Sequence, residues 1–122
     1  MTTDVVALVK TMPDVRSIVA GMVAAGEDLG VRQTAEGAVV QLCDAAGRPL
    51  VSVEVPIFVQ VPGEVERLLG PEAAGRVTVP LWWVEARAVG RGPAGEMARA
   101  FADELVRRLG GTVWTARRGE HP

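Results

Sequence analysis

The stretch VPLWWVEARAVGRGPAGEMARAF, residues 79–101, decides the fold. It reads as a strand, a glycine-rich turn and the start of a helix. Over 77–89 the residues alternate. Trp82, Val84, Ala86 and Ala88 fall on one face, and Leu81, Trp83, Glu85 and Arg87 on the other. Residues 94–109 repeat at helical spacing, with Ala94, Met97, Ala98, Phe101, Leu105 and Leu109 on one side. Gly110-Gly111 is a fitting stop for that helix. Between strand and helix, Gly90, Gly92 and Gly95 match G-x-G-x-x-G, the spacing that cradles a dinucleotide pyrophosphate at a helix N-terminus. A nucleotide loop here would demand a parallel α/β fold, whereas a plain turn leaves the class open.

The string VGRGPAG resembles the flavin-binding fingerprint of Rossmann-type oxidoreductases, and the resemblance spans residues 84–114. It implies nucleotide binding at Gly90, Gly92 and Gly95. The surrounding residues argue the other way. The first strand of such a fold is buried on both faces, yet this one carries Glu85 and Arg87. An acid should close the next strand and hold the ribose, and that strand ends in Ala116, Arg117 and Arg118. No third strand follows. A tight turn with Pro93 opening the helix is the simpler reading, and no cofactor is expected.

Working outward, VRQT, AVVQLC and PLVSVEVPIFV between Val31 and Val61 read as three strands of an antiparallel meander, broken by turn signals at Glu36-Gly37 and Asp44–Pro49. Pro56 marks an edge, a bulge or a bend in the third. Residues 63–69 read as a short helix and 70–75 as a loop. Val15, Ile18, Val19, Met22 and Val23 give residues 3–28 a helical pattern with Pro13 in the first turn, leaving 1–12 as an arm or short helix. TVWTA is a final strand, and residues 117–122 are expected to fray. The expectation is one α+β domain over 1–122, a two-layer sandwich of order α-β-β-β-α-β-α-β, with a mainly antiparallel sheet and helices on one face. That order looks somewhat like the secretion-chaperone-like fold, departing from it where a helix precedes the last strand.

Composition narrows function. Net charge is −2 and pI about 5.4, so nucleic acid is not an expected partner, because phosphate binding needs concentrated positive charge. No apolar run is long enough for a transmembrane helix, so no membrane role is expected. Asp4 stands where a signal peptide carries basic residues, and Cys43 is the single cysteine, so a reducing, cytoplasmic setting is expected. The one histidine, His121, is next to the last residue, which leaves Cys43 without an evident base and argues against a triad or a histidine metal site. No catalytic or metal-ligating set is expected.

The remaining constellation lies on the sheet. Trp83, Glu85 and Arg87 share a face that Ser52 and Glu54 join if their strands belong to one sheet. Such a face can simply be solvated, with Glu and Arg paired across strands. The leading expectation is a non-enzymatic protein-interaction domain, immunity-protein-like or chaperone-like in role, acting through a sheet face or edge. The second is a small-molecule or catalytic site around Trp83, Glu85 and Arg87, and dinucleotide binding at Gly90–Gly95 ranks last. A homodimer burying Leu81, Trp83, Ile57 and Val59, with Phe58 beside them, is a further reading of the same face.

Overall fold

The computed structural model describes residues 2–89 and 92–118. It contains β1 (Thr2–Val9), α1 (Val15–Ala25), β2 (Gly30–Thr34), a 3-10 turn (Ala35–Gly37), β3 (Val39–Cys43), β4 (Pro49–Glu54) and β5 (Ile57–Val59). These are followed by α2 (Glu64–Leu69), α3 (Pro71–Ala74), β6 (Leu81–Val89), α4 (Ala94–Leu109) and β7 (Gly111–Arg118). The seven strands form one sheet of order β2-β3-β4-β6-β1-β7, with β5 also paired to β6. Every recorded pairing is antiparallel. The fold is α+β, as the alternation of β3, β4 and β6 predicts.

The N-terminus is where the expectation fails. Residues 2–9 are neither an arm nor a helix but β1, paired with β6 on one side and β7 on the other. The order therefore begins with a strand. Val5, Val6, Ala7, Leu8 and Val9 are all buried, because this strand is covered on both faces. Val5, Ala7 and Val9 join the larger core beneath α1 and α4, while Val6 and Leu8 join a smaller core with Val65 of α2 and Ala73 of α3. The helices thus lie on both faces rather than one. Residues 71–74 form α3 instead of a loop, with Pro71 opening its first turn. Arg117 and Arg118 belong to β7, paired with Thr3 and Thr2, and the rest of the expected tail, residues 119–122, lies outside the described residues.

α1 starts at Asp14, whose carboxylate accepts the Ser17 amide at 2.8 Å. It packs on α4, with Gly21 against the Phe101 ring. α4 buries Ala94, Ala98, Phe101, Ala102 and Leu105. At its end Gly110 (φ 75°) and Gly111 (φ 130°) turn the chain into β7, and a Cβ on Gly111 would fall on the carbonyl oxygen of Leu8. β6 and β7 run in the same direction with β1 between them.

Candidate functional site

The face of the sheet opposite α1 and α4 divides into two zones, because α2 and α3 cover one end only. Under these short helices lie Leu8, Leu81, Trp83 and Trp114. Leu81 is fully buried there, which removes it from the expected set of surface-directed apolar residues.

The uncovered zone is polar. Arg32, Gln41, Ser52, Arg87 and Asp4 stand in register across β2, β3, β4, β6 and β1. Arg87 Nε donates to Asp4 Oδ1 at 2.9 Å, and its Nη2 lies 3.5 Å from Glu85 Oε2. The hydrogen bond that Arg87 donates to Asp4, then the Asp4 charge, raise the Arg87 pKa, and Glu85 and Glu54 add to the effect. Trp83 Nε1 donates to the other Glu85 oxygen at 3.3 Å. The structure therefore brings Trp83, Glu85, Arg87, Ser52 and Glu54 together and adds Asp4, which is only 3% exposed. Sequence reasoning missed Asp4 as a member of this cluster. The available signal was the continuous run VVALV beside it, which is how a strand buried on both faces reads.

Chemically this cluster compensates itself. Carboxylates surround Arg87, which leaves it a poor receptor for an anion, and Glu85 is held at both oxygens. Cys43 is buried on β3. Among the described residues no group of three or more His, Cys, Asp or Glu is placed to hold a metal ion. His121 and Gly90 lie outside the described residues. Of the other fingerprint glycines, Gly92 needs its left-handed backbone (φ 95°), whereas a Cβ on Gly95 would meet Thr3 Oγ1 at an ordinary 3.6 Å. No helix among the described residues is long and apolar enough to cross a membrane.

A groove lies beside the cluster. The strand that reads as PLVSVEVPIFV is split at Val55-Pro56 into β4 and β5, which pair with successive parts of β6. Residues 54–56 stand against only 84 and 85, so Pro56 occupies a bulge. β3 ends opposite Glu54, and beyond that point β5 has β6 as its single strand neighbour among the described residues. Its outer edge is open, and Ile57 and Phe58 are 56% and 44% exposed. Ile57, Val61, Leu68 and Trp83, with Glu64 and Glu85, line a groove of about 450 Å³ between β5, β6 and α2. Phe58 points to the opposite face and stacks on Trp82, with ring centroids 4.8 Å apart. Arg87 is not on the groove wall. Val61, Leu68 and Glu64 were not legible as site residues, since nothing in the pattern of so short a helix says where it sits over the sheet.

Comparison with protein-family models, with curated proteins and with solved structures finds no match.

Proposed function

We propose that this chain is a non-enzymatic protein-binding domain that takes an extended segment of its partner onto the open edge of β5. The observation that carries the reading is a strand edge that has no neighbour among the described residues, with Ile57 exposed beside an apolar groove and Phe58 exposed on the opposite face. Soluble proteins normally blunt such an edge with charge, proline or a covering loop. Here Pro56 precedes the edge and leaves Ile57–Val59 uncovered. An added strand bonds through its main chain, and its alternate side chains enter the groove over Ile57 and Trp83. The rim carboxylates are already engaged, Glu64 by Arg67 at 2.7 Å and Glu85 by Trp83 and Arg87, so the groove favours apolar side chains of the added segment. Immunity-protein-like and chaperone-like roles both fit this mode, since each masks or escorts a partner segment.

A small-molecule site around Trp83, Glu85 and Arg87 has weaker support. The groove volume suits a ligand, but Arg87 is turned to Asp4 rather than into it. Of the fingerprint glycines among the described residues, Gly92 (φ 95°) serves best in the turn into α4.

The test is a library of short extended peptides that alternate apolar and polar residues. Binding should slow amide exchange at Ile57, Phe58 and Val59, and Ile57→Lys should abolish it while leaving the melting temperature unchanged. Binding that ignores Ile57→Lys, or no binding across the library, overturns the reading.

A further inference from the structure

α1 is apolar on two faces, and the fold uses one. Ile18, Gly21, Met22 and Ala25 pack toward α4 and the main core. The other face carries Val15, 78% exposed, with Val19 and Val23 each 50% exposed, spaced four residues apart along one line. Met12 is exposed in the segment before the helix, and the exposed Val31 of β2 shares a groove with Val19 and Val23. Within Val15–Ala25 the polar residues are Arg16 and Ser17, and Ser17 is buried. A helix facing water is normally polar on that side. This stripe is therefore an interaction surface, and it is separate from the groove on the opposite face of the sheet.

Its pattern also says what covers it. Val19 is the midpoint between Val15 and Val23, so the stripe is complementary to itself about a two-fold axis at Val19. The exposed cation Arg16 stands in the first turn of α1, and the exposed acids Glu27 and Asp28 follow its C-terminal end. Asp14, also at the N-terminal end, is engaged as the helix cap. An antiparallel pairing of two such helices sets cations against acids at both ends and opposes the helix dipoles, whereas a parallel one sets like on like. In the antiparallel register Val15 meets the other copy's Val23. Beyond Val23 the stripe runs into a groove of about 380 Å³ lined by Val19, Val23, Gly26, Val31 and Leu42. We propose that a second copy of this chain covers the stripe, with α1 packed against α1 antiparallel about Val19.

The test reads mass and cross-linking. Sedimentation of the full chain should give a dimer, and Val19→Arg should shift it to the monomer mass with its thermal melt intact. Ile57→Lys should leave the dimer unchanged, which separates this proposal from the groove reading. In a Cys43→Ser background, Val19→Cys should form a disulfide dimer under mild oxidation. Val15→Cys should not link to itself, its copies lying about 12 Å apart along the axis, beyond disulfide reach. Mixing Val15→Cys with Val23→Cys should restore linkage. A wild-type monomer, a dimer that survives Val19→Arg, or self-linkage of Val15→Cys overturns the proposal.

Discussion

Arg87 is the residue on which the polar half of the sheet converges. Its guanidinium meets the Asp4 carboxylate at 2.9 Å, and that carboxylate is nearly inaccessible to water although its strand lies at the other end of the chain. Burying a carboxylate is costly unless charged donors compensate it, so the pair matters more than an ion pair in solvent. Arg87 itself is 47% exposed, and screening reduces what it contributes. Arg87→Ala should destabilise the fold by roughly 1–3 kcal/mol, the range for taking one partner away from a buried polar group. Arg48→Ala, whose pair with Asp44 lies in solvent, should cost much less. Urea unfolding of the two variants decides. Equal losses would mean that Asp4 is held by its other surroundings. Most of this cluster was legible, because Trp83, Glu85 and Arg87 alternate on one strand and Ser52 and Glu54 on another. Asp4 was not, since a partner 83 positions away is set by strand order, which alternation does not encode.

At the scale of elements, α4 and β4 were readable because each presents one clean period to one buried face, and β3 and β6 because alternation survives over most of their length. β1 was not. A short continuous apolar run is the same signal for a buried strand and for a buried helix, and its neighbour α1 has a strong helical period. What makes 2–9 a strand is tertiary: β6 and β7 flank it, and helices cover both of its faces. α1 begins separately, at a cap with its own pH signature. The Ser17 side-chain and backbone hydrogen bonds hold the Asp14 carboxyl below its ordinary 3.8. A depressed carboxyl contributes stability above its unfolded pKa and loses it as pH falls through the folded value. Asp14→Asn keeps a capping oxygen but removes the charge. The stability difference between wild type and Asp14→Asn should therefore hold above 3.8 and close as pH falls below the depressed value. Urea midpoints across acid pH measure it, and a difference that stays constant into acid would show that the charge contributes nothing to the cap. If α1 carries the dimer contact, dimer mass should weaken over the same interval.

The whole molecule is built around β1, which separates a larger core under α1 and α4 from a smaller one under α2 and α3. That division places the two apolar surfaces back to back: the α1 stripe on one side of the sheet, the β5–α2 groove on the other. A dimer formed through α1 therefore leaves both grooves open. If each groove takes one extended segment, a ligand carrying two segments on a linker long enough to pass around the dimer binds its second segment intramolecularly. Effective-concentration arguments put the gain at about 10²–10⁴ over a single segment, provided the linker spans the sites. Val19→Arg, which should separate the copies without touching the groove, ought to leave single-segment affinity unchanged and erase that gain. Ile57→Lys ought to abolish both. Titrating single and tandem peptides against wild type and the two variants separates the surfaces. A tandem advantage that persists in Val19→Arg would place both segments on one copy and remove the α1 dimer from the account, whereas equal affinities in wild type would mean that the two grooves face away from any common ligand.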